Sequence, residues 1–407
     1  MKSVIKNWPE ILYNEKLAWG LWFGLSLFSI WQAIHFNQLN TFVIYRDVWP
    51  HLTGQLNLYA AYPQVYEDAN LYGPLFGFLI APFSWLPLEI GAVAWVLFNA
   101  SFMLFALYQL PLPRRWKALL VLLCTHEMMS TSSWLQINAF IGGCLVLGFA
   151  YTHQRKEGRA LFFIAAAIFI KLLGVTALAF FFFGRPLRFV GWLLVWSGVF
   201  FFLPLTVGSF SYLLQTYKDW RAALVFKNNK NNSFTAVNVL YQNVSVIGMI
   251  RRIFYLPRLN NAVVLAPVFI AFISQYRPFR YFGDLRFRLY IFCSVLLSTV
   301  LFSTGSESPT YIIAMPGFCL WYLMQPKTKT VRIFFAAVFF FITFCYSDLL
   351  TPWFRETVTK PYSLKALPAF LVWLVILVQI HTLQFLKAIH PLASSTDEQT
   401  SKNVALL

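Results

Sequence analysis

The chain has 407 residues, of which 59% are hydrophobic and 12% charged, with 44 Phe, 15 Trp and a mean hydropathy of +0.62. Soluble domains carry about a quarter charged residues, so this composition excludes a soluble globular protein and points to helical membrane spans. The net charge of +17 would mark a nucleic-acid binder among soluble proteins. Here Lys and Arg fall between hydrophobic runs, where they orient loops and meet anionic head groups, so membrane lipids are expected partners and nucleic acid is not.

Lys2, Lys6 and Lys16 precede the first apolar run, residues 17–37. No small-residue cleavage site follows at signal-peptide distance, which predicts an uncleaved anchor. Just beyond it, Thr41-Phe-Val-Ile-Tyr-Arg-Asp-Val-Trp-Pro50 contains Asp47. An acid past a membrane exit is placed for a base acting on a lipid-linked substrate; a solvated loop acid is the plainer reading. The stretch from Tyr72 to Pro87 is apolar but too short and too proline-marked to span, and predicts a helix lying in the outer leaflet. Apolar segments follow at 89–110, 118–134 and 136–152. His126 and Glu127 lie inside one of them and project about 100° apart on a helix. Intramembrane ionisable groups usually face a cavity, so Glu127 is either a sugar-binding group or a neutral, hydrogen-bonded one. Gln136 and Asn138 open the next span, as ligands for sugar hydroxyls or as capping and interhelical groups.

The run at 160–183 is the awkward one. As a single helix it would put Lys171 at mid-bilayer, at a cost of several kcal/mol. As two short re-entrant helices with Lys171-Leu-Leu-Gly174 at the tip, the ammonium reaches the outer surface, where it meets a lipid phosphate or simply snorkels. Lys and Arg in the short loops favour the hairpin: it gathers them on the cytoplasmic side, whereas a single span divides them evenly. With further segments at 189–207, 260–275, 289–304, 309–324, 331–347 and 366–386, the expectation is an all-α polytopic protein of about twelve membrane segments. Residues 1–389 form one membrane domain, both termini are cytoplasmic, and 390–407 is a disordered tail. The outer face then holds the 38–88 loop, the 208–259 loop, Gly305-Ser-Glu-Ser-Pro309 and the 348–365 loop. Lys227, Lys230, Asn231, Asn232 and Ser233 form a polar run in the second of these. Arg251-Arg252 sits before the next span, to dock a lipid phosphate or anchor an interfacial helix. The five cysteines lie in apolar runs without paired spacing. No metal-ligand constellation and no glycine-rich nucleotide loop is present in the sequence.

Asp47, then Gly54-Gln-Leu-Asn-Leu-Tyr59, Tyr72-Gly-Pro-Leu-Phe76, Ala81-Pro82, Leu86-Pro87, Gln136-Ile-Asn138, Arg159 ahead of Lys171, and Asn231-Asn-Ser-Phe234 together resemble glycosyltransferase family 87. The resemblance covers most of residues 40–240. It implies a GT-C-like fold, juxtamembrane helices in the first outer loop, and a polyprenyl-phosphate sugar as donor, as in mycobacterial phosphatidylinositol-mannoside mannosyltransferases. The family's acid in the first outer loop, its catalytic base, corresponds to Asp47. Two departures stand out. The usual Tyr-Pro-Pro reads Tyr72-Gly-Pro, and a late stretch that often carries His reads Gly305-Ser-Glu-Ser-Pro-Thr-Tyr311, leaving Glu307 or Tyr311 as substitutes.

The expected activity is therefore transfer of a hexose, mannose by the resemblance, to a lipid-linked or glycan acceptor on the outer face of a bacterial inner membrane. Transfer by direct displacement needs one base and inverts the anomeric centre. Asp47 supplies the base. Lys171, Arg46, Arg251 and Arg252 are the candidates for the donor phosphate. Tyr72, His126, Glu127, Gln136, Asn138, Asn231, Asn232, Glu307 and Tyr311 are the candidates for sugar and acceptor. No cofactor and no metal is expected. The rival class is a polytopic transporter or lipid flippase, although matched halves with broken helices are not evident.

Overall fold

A computed structural model describes residues 9–232, 242–347 and 352–391, apart from the Asn232 side chain. Lys2, Lys6, Ser233, Phe234 and the tail from residue 392 lie outside the described residues. Every regular element among the described residues is helical. Three helices have the length and apolarity to cross a membrane alone: Glu15–His35, Leu88–Tyr108 and Pro186–Thr206. Four shorter apolar helices accompany them, at Leu75–Ser84, Leu172–Phe183, Asn261–Ser274 and Ala366–His381. At about 1.5 Å per residue such helices fall short of a bilayer about 30 Å thick, and need protein around them to satisfy their ends.

The described residues fall into two compact units, one within Met1–Trp22, Leu107–Glu127 and Leu240–Leu407, the other within Phe23–Ala106 and Met128–Val239. The second unit takes in α1 (Glu15–His35) from Phe23 onward and continues with α2 (Asn40–Thr53) and α3 (Leu75–Ser84). Helix α2 buries Phe42, Ile44, Tyr45, Val48 and Leu52, a spacing of three and four residues that gives one apolar face. That face packs on α3. Helix α4 (Leu88–Tyr108) follows, then the end of α5 (Arg114–Ser133) from Met128, its earlier part belonging to the first unit, and α6 (Asn138–His153). On α4, Trp95 Nε1 donates to Leu135 O at 2.9 Å, and Asn99 Oδ1 accepts from Phe140 N at 3.3 Å, which holds the turn between α5 and α6.

The run at 160–183 breaks at the lysine. Helix α7 (Glu157–Ile170) ends there, Lys171 is extended at φ −146° and ψ 117°, and a 3-10 helix runs from Leu172 to Phe183. The chain doubles back ahead of α8 (Pro186–Phe202): Arg185 Nε and Nη2 bond Glu157 Oε1 and Oε2 at 3.0 and 2.9 Å, joining the two ends of the excursion. Gly174 closes the tip, where a Cβ would fall 2.6 Å from Ile168 N and 2.7 Å from the Ala167 carbonyl carbon.

Two sequence expectations need correction. The 208–259 stretch is not a loop throughout, because α9 runs from Phe210 to Asn232 and α10 from Val246 to Ile253. Low hydropathy hid α9, which is held by aromatic side chains against the first loop rather than by burial of an apolar stripe. Tyr212 Oη donates to Leu56 O at 2.7 Å and Trp220 Nε1 to Leu71 O at 3.0 Å. The 309–324 segment is likewise divided, into a 3-10 turn (Ser308–Ile312) and a ten-residue helix (Met315–Met324), each with proline in its first positions. Proline lacks the N–H that an uninterrupted helix needs.

In the first unit the helix Leu285–Leu301 is buried almost all round and packs against Met315–Met324 and Ala366–His381. Side-chain amides and hydroxyls join these apolar helices. Trp373 Nε1 donates to Ser294 Oγ at 3.0 Å, Trp321 Nε1 to Gln379 Oε1 at 2.8 Å, and Gln379 Nε2 to Gln325 Oε1 at 2.9 Å. Such bonds are what hold helices together where lipid removes most of the hydrophobic driving force.

Candidate active site

Asp47 lies on the face of α2 opposite its apolar stripe. Its carboxylate is half-buried and makes no hydrogen bond or ion pair among the described residues. Burial raises its pKa, and the positive charges of His51 and Arg46 oppose that rise. His51, one turn further on, stacks on the Tyr62 ring at 4.3 Å; burial lowers its pKa and the Asp47 charge works the other way. The Tyr66 hydroxyl is pushed up by burial and by the negative charge of Asp47. A carboxylate in this setting keeps free lone pairs and a proton affinity above that of a solvated Asp. Arg46 turns away from it and donates to Ser84 O at 3.4 Å, at the end of α3.

In the same unit, Lys171 at the break after α7 donates from Nζ to Asn138 Oδ1 at 2.8 Å and lies 5.7 Å from the centre of the Tyr72 ring. Asn138, fully buried at the start of α6, in turn donates to Gln136 Oε1. The turn carrying these groups is strained, since Leu135 has φ 52° as α5 ends, a conformation that glycine adopts at no cost and leucine at about 1 kcal/mol or more. Gln136 lines, with Trp95, Asn99, Thr131 and Ser132, a crevice too narrow to admit a water molecule. Asn138 thus links Gln136 to the Lys171 ammonium. Tyr72, half-buried, pairs its hydroxyl with that of Tyr45 at 2.8 Å. Tyr45 and Gly73 were invisible as site residues in a chain with 19 Tyr and 19 Gly, because no spacing singles them out. Asn231 is buried at the end of α9. Lys227, on the same helix, pairs with Asp68 at 3.5 Å.

The first unit gathers a different set. Glu127 is fully buried and bonds Lys365 Nζ through Oε2 at 3.1 Å and Oε1 at 3.3 Å. Lys365 also donates to Ser308 Oγ at 2.9 Å and lies 4.8 Å from the centre of the Tyr311 ring. Tyr311 is fully buried with its hydroxyl on Val244 O at 3.1 Å. The His126 ring lies 5.3 Å from that of Phe344, tilted by 59°, with Nδ1 3.7 Å from Glu127 Oε1. Glu307 begins the Ser308–Ile312 turn and closes a capping box with Thr310. A carboxylate that already shares a buried ammonium has little left for a sugar hydroxyl. Lys365 was the missed residue here, its only sequence signal being a cation at the foot of the last apolar run.

The two arginines expected at a phosphate are both engaged with oxygens of the protein. Arg251 Nη2 donates to Leu259 O at 2.5 Å and Asn261 Oδ1 at 2.7 Å. Arg252 donates to Gln242 O at 2.7 Å, Lys360 O at 3.1 Å and the Ser363 hydroxyl. Burial lowers the pKa of both. Binding a phosphate would mean giving up these bonds to protein oxygens. Among the described residues, no three His, Cys, Asp or Glu side chains converge into a metal-holding group.

No curated protein and no solved structure matches the chain. The model of glycosyltransferase family 87 matches residues 70–304, which include Tyr72, Gln136, Asn138, Lys171 and Asn231, with Asp47 lying upstream of the matched stretch. Membership of an enzyme family decides between transferase and transporter, and the match spans more than half of the chain: the protein belongs to glycosyltransferase family 87 and is a membrane glycosyltransferase.

Proposed function

We propose that this enzyme transfers a hexose, mannose by its resemblance to family members, from a polyprenyl-phosphate donor to a lipid-linked or glycan acceptor. The reaction takes place at the outer face of a bacterial inner membrane, in a GT-C-like fold of about twelve membrane segments with both termini in the cytoplasm. Asp47 removes the proton from the acceptor hydroxyl as its oxygen attacks the anomeric carbon. The bond from that carbon to the phosphate oxygen breaks, the electron pair leaves with the polyprenyl phosphate, and the anomeric configuration inverts. Lys171 neutralises charge that grows on the departing phosphate, the kind of interaction that is stronger in the transition state than in the bound donor. Tyr72 and Gln136 face the sugar or acceptor.

The observation that carries this reading is the Asp47 carboxylate itself, half-buried, with no partner among the described residues and with a raised pKa. A carboxylate with a structural task is normally bonded to a donor. The test is transfer from labelled polyprenyl-phosphate mannose by purified wild-type enzyme and Asp47→Asn, with NMR assignment of the product anomer. Loss of transfer and an inverted anomer are expected; normal turnover by the variant, or retention of configuration, refutes the mechanism.

A further inference from the structure

Tyr45 is buried on the apolar face of α2, two residues before Asp47, with its ring packed on Tyr72, Phe76 and Trp95 at 5.2, 4.9 and 5.9 Å. Its hydroxyl lies 2.8 Å from that of Tyr72. Tyr72 is fixed on every side. Its N–H donates to Asn70 Oδ1 at 3.1 Å, and its carbonyl accepts from the Tyr59 hydroxyl at 3.1 Å and from Asn70 Nδ2 at 3.3 Å. The next N–H, that of Gly73, donates to Ile170 O at 3.0 Å, at the last residue of α7 and one before Lys171. A Cβ on Gly73 would stand 2.0 Å from Phe169 O, so backbone meets backbone there only because the residue is glycine. A proline at that position would also lack the N–H, which accounts for Tyr72-Gly-Pro in this chain.

Taking Asp47 as base and Lys171 as phosphate ligand, we infer that the Tyr45–Tyr72 hydroxyl pair is a positioning contact that sets the base-bearing helix against the Lys171 tip. The route is continuous: Asp47 rides on α2 with Tyr45, Tyr45 holds Tyr72, and Tyr72-Gly73 is bonded to the end of α7 and underlies the ammonium. Neither tyrosine hydroxyl takes part in proton transfer. Their task is to hold two reacting groups at a working distance, where a misplacement of about 1 Å is costly.

The experiment uses full-length enzyme in nanodiscs, with Tyr45→Phe and Tyr72→Phe made singly and together, and Asp47→Asn alongside. Phenylalanine keeps the ring contacts and removes only the hydroxyl. Each single variant is expected to lower kcat for polyprenyl-phosphate mannose by about tenfold, with KM for the donor and Tm little changed, and the double variant to be no slower than either single. Amide hydrogen exchange at residues 72–76 is expected to quicken in Tyr45→Phe, a readout that needs no turnover. Wild-type kcat in both single variants, effects that multiply in the double, or unchanged exchange overturns the inference. If Asp47→Asn is inactive while both phenylalanine variants turn over normally, the positioning contact fails and the base survives. If Asp47→Asn turns over normally, the mechanism beneath it fails as well.

Discussion

Lys171 interrupts an apolar run and Lys365 stands at the foot of one, and the structure gives them opposite settings. Lys171 sits half-buried at a helix break, between the amide of Asn138 and the ring of Tyr72. Lys365 is buried against the Glu127 carboxylate, a serine hydroxyl and a tyrosine ring. The amide and the ring orient the Lys171 ammonium, whereas the buried carboxylate neutralises Lys365. Under the proposed mechanism Lys171 serves chemistry, while the ion pair with Glu127 gives Lys365 an architectural task. A buried ion pair is retained because losing one member leaves the other charged and unsolvated, although replacing both can be harmless.

Four experiments would break or sharpen that contrast. The largest effect belongs to the Lys171 side, where Asp47→Asn is expected to lower kcat by about 10²–10⁴, the range for a general base, with Tm unchanged. On the Lys365 side, Lys365→Met alone is expected to destabilise by about 3–5 kcal/mol in denaturant unfolding. The double variant Lys365→Met with Glu127→Leu should recover most of that stability and retain transfer. A double variant that stays folded but loses all activity would move this pair into the chemistry and erase the contrast.

Next in size, Lys171→Met is expected to lower kcat by about 10²–10³ at nearly constant stability, as for removal of one group that stabilises transition-state charge. A large fall in Tm would instead make Lys171 a second structural lysine.

The smallest effect is on pH. Because burial raises the Asp47 pKa, its base form is complete only above that raised value, so kcat/KM falls on acidification sooner than it would for a solvated aspartate. The linkage to stability has the matching sign. The folded protein holds this proton more tightly than the unfolded chain, so burial of the carboxylate costs stability above the usual aspartate range, and acidification relieves that cost. His51→Gln removes a charge that favours the carboxylate and should move the acid limb to higher pH by a fraction of a unit. A limb that stays in place would show that His51 is a stacking partner of Tyr62 and nothing more.

Much of the fold was legible in the sequence because its signals are local. The break at Lys171 follows from the cost of an ammonium at mid-span, and the glycine three residues later supplies the tip. Asp47 was legible because an acid is rare in this composition and sits just past a membrane exit. Helix α9 was not, since its hydropathy is that of a loop and its anchors are single aromatic hydrogen bonds to a distant segment. Glu127 was legible as an oddity, either sugar-binding or hydrogen-bonded, but its bond to Lys365 was not, because that partner stands 238 residues away.

Composition and local pattern alone determined that this chain is helical, lives in a membrane, and carries one acid worth testing as a base. Hydrophobic transfer and the price of a charge in lipid act residue by residue, so they can be read along a line. Only the tertiary structure decided which charges are neutralised, which arginines are already committed to carbonyls, and which tyrosine joins the helix of Asp47 to the tip at Lys171. Those outcomes depend on contacts a few ångströms long between residues far apart in the chain, and no periodicity encodes them.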